Sequence, residues 1–373
     1  MKIVIDARMY GLENAGIGRY IINLITELAK VESRHDYFLL LRRKYYHQLN
    51  FTAAHFHKVL ADYPHYSFKE QFLLPGTLRR IKPDLAHFPH FNVPVFWGGR
   101  YVVTIHDLIK HYHKGSRTTT RWPLLYWLKY LNYRFLVWIA VNKSCRIITP
   151  SRFWQQKIAH LYKINRSKVK VTYEGVDALF SGMPAGRKPP FKQPYLLYTG
   201  SLYPHKNVEN LVKAVMLVNR KTPLVLYIAS SRNVFFERFS RYLSSLGAEK
   251  YVRLLGFVPD RKLAAVYKGA TAFVFPSLME GFGLPGLEAM AADTVLISAN
   301  TSCLPEIYGQ AALYFDPLNP QDMAEKINRV LADAGLRSSL IKAGRKQLSR
   351  YSWSKMARET LRIYEDCLSL RSR

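Results

Sequence analysis

TAFVFPSLMEGFGLPGLEAMA, from Thr271 to Ala291, opens as an apolar run, crosses a turn rich in glycine and proline, and ends in a helical pattern. Glycine frees the backbone and proline fixes it, so the middle of the stretch is neither plain helix nor plain strand. The run AFVFP reads as a buried strand ending at Pro276, and Pro285 suits the first turn of a helix near 285–292. Strand, turn and returning helix make up the repeating unit of a parallel α/β sheet. The turn also carries chemistry. Glu280 lies in the loop and Glu288 on the helix, and Gly281, Gly283 and Gly286 are expected to expose backbone N–H groups between them. Carboxylates accept hydrogen bonds from sugar and ribose hydroxyls, while N–H groups suit phosphate. A metal fits less well: two carboxylates eight residues apart form no evident cage, and the chain has no DxD stretch for magnesium.

The same alternation runs through the rest of the chain. Strands are expected at 195–201, 223–230, 251–258 and 294–300, with helices at 207–221, 320–333 and 336–350. The first half reads as strands at 2–7, 37–42, 85–89, 101–107, 146–151 and 169–175, with helices at 18–31 and about 152–163. SGMPAGRKPPFKQP, residues 181–194, is the best linker candidate. Two doubly wound α/β domains in series follow, at 1–185 and 186–351. Ligands of such sheets bind beyond the carboxyl ends of the strands. If the two carboxyl edges face each other across a cleft, each domain holds one substrate.

The length of 373 residues agrees with two cores. Cys145, Cys303 and Cys367 are scattered without ligand spacing, which predicts a reducing compartment, no disulfide and no zinc site. The N-terminal apolar run is too short for a signal peptide. The formal charge of +29 is uneven: between Asp107 and Glu174 there are 14 Lys and Arg and no acid, together with Trp122, Trp127, Trp138 and Trp154. Such a stretch, 108–173, suits an anionic partner, whether membrane lipid, nucleic acid or a phosphorylated substrate; plain solvation of the charges fits it as well. LLYWLKYLNYRFLVWIAV (124–141) places Lys129, Asn132 and Arg134 where a membrane span would tolerate them poorly, and reads instead as a helix buried in a domain or lying on a bilayer.

Three further motifs fall at strand ends. Gly16 and Gly18 follow the first strand and precede the first helix, where the backbone can approach phosphate or simply turn. Lys206 lies in TGSLYPHKN between a strand and a helix, where it can neutralise a diphosphate or stand in solvent. His106 and Asp107 end an apolar strand, a place for a site or for a cap.

GIGRY, TIHDL, GSLYPHKN, the E-x7-E stretch and TSCLPEIYGQAALYFDP together resemble the large retaining glycosyltransferase family four, also called group 1, which has the two-domain GT-B fold. The resemblance covers nearly the whole chain and is strongest at about 195–333. It implies that Glu288 holds the donor ribose, that Glu280 lies against the donor sugar, and that Phe282, Gly283 and Leu284 contact sugar and phosphate. Ser302, Cys303 and Leu304 match the turn whose amides approach diphosphate and ribose, and Lys206 matches the basic residue on the diphosphate. Gly16 and Gly18 match the N-domain loop over the phosphates, His106 the acceptor-side histidine, and Phe257 and Val258 the wall beside the base. Ser201 stands where many relatives carry arginine, and His205-Lys206 where others carry Arg-Lys, so one phosphate charge is missing or supplied elsewhere. The final helix, about 352–373, is expected to cross back onto the N-domain.

The implied activity is transfer of a hexose from an NDP-sugar (GDP or UDP) to a glycan or lipid-linked glycan, with retention. No cofactor, no metal and no nucleic acid are expected. YSFKEQFLLPG (66–76) and HFPHFNVP (87–94) resemble acceptor-domain signatures of mannosyl- and rhamnosyl-type relatives. The basic N-domain favours a cytoplasmic enzyme peripheral to an anionic membrane and working in polysaccharide or lipopolysaccharide synthesis. The alternative is a non-catalytic nucleotide-sugar or polyanion-binding protein on the same scaffold, against which Glu280, Glu288, Lys206 and His106 stand intact. A phosphorylase or epimerase would need a cofactor lysine site or a further acid pair, and neither is found.

Overall fold

The computed structural model describes the chain except residues 32–33, 52, 115–122, 182–190, 192, 233 and 370–373. Most of the expected linker, Trp122 and part of the acid-free stretch therefore lie outside the described residues. The chain forms two compact units. The first comprises Met1–Leu108, Thr119–Glu174 and Ser352–Arg373, the second Ile109–Thr118 and Gly175–Tyr351.

In the first unit the strands are β1 (Lys2–Asp6), β2 (Asp36–Leu41), β3 (Phe56–Leu60), β4 (Leu85–Phe88), β5 (Tyr101–Thr104), β6 (Arg146–Thr149) and β7 (Val169–Val171). They form a parallel sheet in the order β3-β2-β1-β4-β5-β6-β7. Ile3 pairs with Tyr37 on one side and Leu85 on the other. Ile3, Val4 and Ile5 are all buried, as a strand covered on both faces requires. β3 was not evident in the sequence, because this edge strand, FHKVL, is partly exposed and mixes polar with apolar residues. The helix Ala15–Leu28 buries Tyr20, Ile21, Leu24, Ile25 and Leu28. The final helix, Trp353–Ser369, packs beside it.

One expectation fails here. Cys145 and Cys367 are joined as a disulfide across 222 residues of sequence, and Cys303 alone is free. Spacing gave no sign of this, because only the return of the final helix to the first unit brings Cys367 to the start of β6.

In the second unit the strands are β8 (Tyr195–Thr199), β9 (Val225–Ala229), β10 (Val252–Gly256), β11 (Ala272–Phe275), β12 (Leu296–Ala299) and β13 (Ala312–Phe315), in the parallel order β10-β9-β8-β11-β12-β13. The winding reverses between β8 and β11, and a crevice opens at the carboxyl ends of strands flanking such a reversal. Several strands stop before the ends expected from the sequence: β5 ends at Thr104, β8 at Thr199 and β11 at Phe275. The residues beyond them form the loops that carry the site.

The helix Pro123–Lys143 has two faces. Tyr133, Leu136, Val137 and Ala140 are buried, while Leu124, Leu128, Leu131, Phe135 and Trp138 are exposed along one stripe. Lys129 and Arg134 are also exposed. Among the described residues no helix is long and apolar enough to cross a membrane. Of the tryptophans counted for a surface role, Trp127 and Trp138 are exposed, but Trp154 is fully buried and belongs to the core.

Candidate active site

The loops after β8 and β11 are joined backbone to backbone: Leu278 N–H donates to His205 O at 2.8 Å. Asn207, held at φ 57°, donates from Nδ2 to Pro276 O at 3.0 Å and to Pro317 O at 2.7 Å. Neighbouring strands and this clamp bring Lys206 to Glu280. Lys206 Nζ lies 2.7 Å from Glu280 Oε1 and 2.9 Å from Oε2. Both are largely buried, with side-chain exposures of 17% and 10%, so their charges are poorly screened.

Behind Glu280 stands the turn after β12. Glu280 N–H donates to Ser302 Oγ at 3.2 Å, and Cys303 Sγ–H donates to Glu280 O at 3.3 Å. Ser302 adopts φ 52° to make that turn, and Leu304 opens the next short helix. Burial first, and then the charge of Glu280, push the Tyr198 phenol, the Cys303 thiol and the Tyr308 phenol well above their ordinary values. Glu280 is thus ringed by neutral groups, with Lys206 as its countercharge. Burial, then Lys206 and His113, push His205 down to about 3. Its neutral ring stacks on Tyr203, and Lys206 carries the charge of this pair alone.

The helix Leu284–Ala291 starts at Gly283, whose φ of 97° favours glycine. Tyr308 Oη–H donates to Gly283 O at 2.6 Å. A Cβ on Gly286 would overlap the Tyr308 ring. Gly286 N–H is bonded to Gly283 O at 3.2 Å, so this glycine does not offer the free donor expected of it; it serves close packing. Glu288, 7% exposed, accepts from Tyr267 Oη–H at 3.2 Å. The Tyr267 hydroxyl in turn lies 2.6 Å from Thr199 Oγ1, which donates to it. Ser201 O accepts from Tyr198 Oη–H at 2.7 Å. Phe257, after β10, is 72% exposed, and Val258 beside it is half-buried.

In the first unit, Gly16 and Gly18 lie inside the helix Ala15–Leu28, not in a loop before it. A Cβ on Gly18 would overlap the Gly11 carbonyl, whereas Gly16 has open space. His106 follows β5. Its Nε2 donates to Pro89 O at 3.1 Å, its Nδ1 lies 3.3 Å from Glu174 Oε1, and Tyr20 meets the ring edge-on at 4.9 Å. Glu174, Tyr267 and Tyr308 were not singled out from the sequence. Each acts through a neighbour supplied by the fold, and only the proximity of Tyr308 to the LPE motif hinted at one of them. Among the described residues no group of three or more His, Cys, Asp or Glu is placed to hold a metal ion.

Two family models match the chain, Glycosyltransferase Family 4 over residues 14–178 and Glycosyl transferases group 1 over 184–347. O-antigen chain mannosyltransferase B of Escherichia coli is 27% identical, and the match covers 98% of this chain and 100% of that one. Among solved structures, sucrose-phosphate synthase from Thermosynechococcus elongatus superposes with TM-score 0.77 at 17% identity over 99% and 100% of the two chains. Anabaena HepE in complex with UDP and glucose does so with TM-score 0.73 at 17% identity over 98% and 99%. With its two parallel-sheet units, this chain belongs to the group 1, family 4 glycosyltransferases of the GT-B fold. It is therefore a glycosyltransferase.

Proposed function

We propose that the chain transfers a mannosyl-type hexose from GDP- or UDP-sugar to a lipid-linked glycan, with retention and without a metal. One observation carries the reading: Lys206 and Glu280 meet at the winding reversal between β8 and β11, with Glu288 on the helix that follows. Glu288 binds the ribose hydroxyls, Glu280 the donor sugar, and Lys206 the diphosphate. Ser201, Phe282, Gly283, Leu284, Ser302, Cys303 and Leu304 complete the donor site, with Phe257 and Val258 beside the base. Gly16 and Gly18 are assigned to the phosphates, and His106 to the acceptor side. The full-length match to an O-antigen mannosyltransferase favours mannose.

In the reaction the bond from the anomeric carbon to the diphosphate breaks while the acceptor oxygen bonds to the same face. The acceptor proton passes to the departing phosphate oxygen. Lys206 and nearby backbone N–H groups stabilise the charge that develops there.

The first unit is proposed to dock on the cytoplasmic face of an anionic membrane. Support comes from the exposed stripe Leu124, Leu128, Leu131, Phe135 and Trp138, from the exposed cations Lys129 and Arg134 on the same helix, and from exposed Phe68, Phe72 and Phe96 in the same unit. Apolar residues enter the acyl boundary while cations meet acidic headgroups.

The test incubates the protein with GDP-mannose and UDP-sugars and a lipid-linked acceptor in anionic vesicles, with and without EDTA. Anomeric proton signals of the product then report stereochemistry. An α-product from an α-donor, unaffected by EDTA, is expected. Inversion, or activity abolished by EDTA and restored by Mg²⁺, overturns the mechanism; donor binding without transfer makes the chain a binding protein.

A further inference from the structure

Tyr66 is held in a backbone conformation that costs free energy, and the frame that holds it is buried. Its φ is 59°, a left-handed value that favours glycine. Its N–H donates to Glu70 Oε2 at 2.8 Å. Glu70 has no solvent exposure and is fixed from two further sides. Arg8 Nη2 donates to Glu70 Oε1 at 2.6 Å, and Asn92 Nδ2 donates to Oε2 at 2.5 Å. Arg8 also donates to Asp6, the last residue of β1, from Nε at 2.8 Å and from Nη2 at 2.6 Å. A buried set of charges is a poor source of stability. Strained residues held by such a frame concentrate at ligand sites.

What the frame presents is an aromatic residue open to solvent. Tyr66 is 57% exposed. Its Oη lies 3.2 Å from His90 Nε2, and the two rings meet nearly at right angles with centroids 5.7 Å apart. The phenol tip is more enclosed than the rest: burial first, and then the charges of Glu70 and Asp107, push it above its ordinary value. The influence of Asp107 places this tip near the end of β5, where His106 lies. His90 also lines a cavity of about 10 Å³, with Asp6, His65 and Asn92 on its walls. That is room for one water or one hydroxyl group. Asn92 Oδ1 and His65 Nε2 are buried without a hydrogen-bond partner, so this corner has polar atoms to offer a ligand.

The position is the one where the first sheet opens. Its winding reverses between β1 and β4, and Asp6, Arg8, His90 and Asn92 lie at or just beyond the carboxyl ends of these two strands. A pyranose ring has a C–H face that suits an aromatic side chain and hydroxyls at its rim that suit polar partners. We propose that Tyr66 and His90 form a platform for a neutral pyranose ring of the acceptor glycan, with the Asn92 corner open to one of its hydroxyls. This rests on the reading that the first unit takes the acceptor.

Saturation-transfer NMR tests the platform without any transfer reaction. The probes are the methyl α-glycosides of mannose, rhamnose, glucose, galactose and N-acetylglucosamine. At least one is expected to bind the wild type, with saturation strongest on the C–H protons of one ring face. Tyr66→Gly relieves the left-handed backbone and keeps the N–H bond to Glu70, so it should melt within a few degrees of the wild type. Its affinity for that glycoside should still fall about tenfold or more, whereas Tyr66→Phe, which keeps the ring, should stay within about threefold. Binding that persists in Glu280→Ala separates this site from the donor site. No binding of any glycoside to the wild type, equal binding by Tyr66→Gly, or loss of binding in Glu280→Ala overturns the proposal. So does weaker attachment of Tyr66→Gly to anionic vesicles with unchanged sugar binding, which would assign Tyr66 to the membrane face. The underlying reading fails separately: a Tyr66→Gly variant that loses the glycoside but keeps the acceptor KM of the transfer assay would overturn the assignment to the acceptor alone.

Discussion

Lys206 Nζ sits between both carboxylate oxygens of Glu280, at 2.7 and 2.9 Å, across 74 residues of sequence. Each is the other's countercharge in a site that excludes most water. On the proposed assignment, a donor diphosphate would compete with Glu280 for the same ammonium group and loosen the pair as it binds. Lys206→Ala is expected to lower kcat/KM by about a hundredfold or more, the scale of losing one charge-stabilising donor. Glu280→Ala should abolish turnover. Steady-state kinetics check both, and near wild-type turnover in either variant contradicts the assignment.

Gly16 and Gly18, both assigned to the phosphates, differ in what a methyl group would meet. Gly18→Ala places a methyl on the Gly11 carbonyl and should destabilise the first unit by about 1–3 kcal/mol. Gly16→Ala meets open space within a helix, where alanine is favoured over glycine by up to about 1 kcal/mol. Thermal melts should therefore show a loss for Gly18→Ala alone. If Gly16 approaches the donor phosphates, Gly16→Ala loses activity while keeping its stability; full activity would remove Gly16 from the site.

Much of this was legible in the sequence. Strand-turn-helix alternation marked the α/β class, and E-x7-E, GSLYPHKN and TIHDL each fell at the carboxyl end of a strand, where the structure puts their loops. What was not legible depends on tertiary return. Cys367 reaches Cys145 only through the final helix, and Glu174 reaches His106 only because β5 and β7 flank β6. Gly286 misled for a local reason: its N–H is consumed by the first turn of the helix, and its missing side chain makes room for Tyr308.

Tyr267 donates a hydrogen bond to Glu288, the residue proposed to bind the donor ribose. Tyr267→Phe removes the 3.2 Å hydrogen bond and leaves a buried carboxylate short of a donor. That should weaken nucleotide binding by about 1–3 kcal/mol, roughly 5-fold to 150-fold. Calorimetry of the variant against the preferred nucleotide measures it, and unchanged affinity would show that Glu288 is held by other means.

Acid should weaken the first unit. His87 is fully buried, with Nδ1 2.6 Å from Tyr364 Oη on the final helix and Nε2 2.8 Å from Thr104 Oγ1. Burial holds its pKa down at about 3 from 6.5. Between these values the unfolded chain binds a proton that the folded chain refuses, so stability falls as pH drops below 6.5, by up to about 1.4 kcal/mol per pH unit. His205, also pushed down to about 3, acts in the same direction in the second unit. Melting curves at pH 7.5 and 5 should show the loss, and His87→Gln should flatten it. A variant with the wild-type slope would assign the effect elsewhere.

The most direct test of the donor site is isothermal titration of GDP, UDP, ADP and CMP into the wild type and Glu288→Ala. One nucleoside diphosphate is expected to bind the wild type clearly, with EDTA making no difference, and to lose most of its affinity in Glu288→Ala. Equal binding by both proteins, or no binding of any nucleotide to the wild type, would contradict a ribose-holding Glu288 at the β8–β11 reversal.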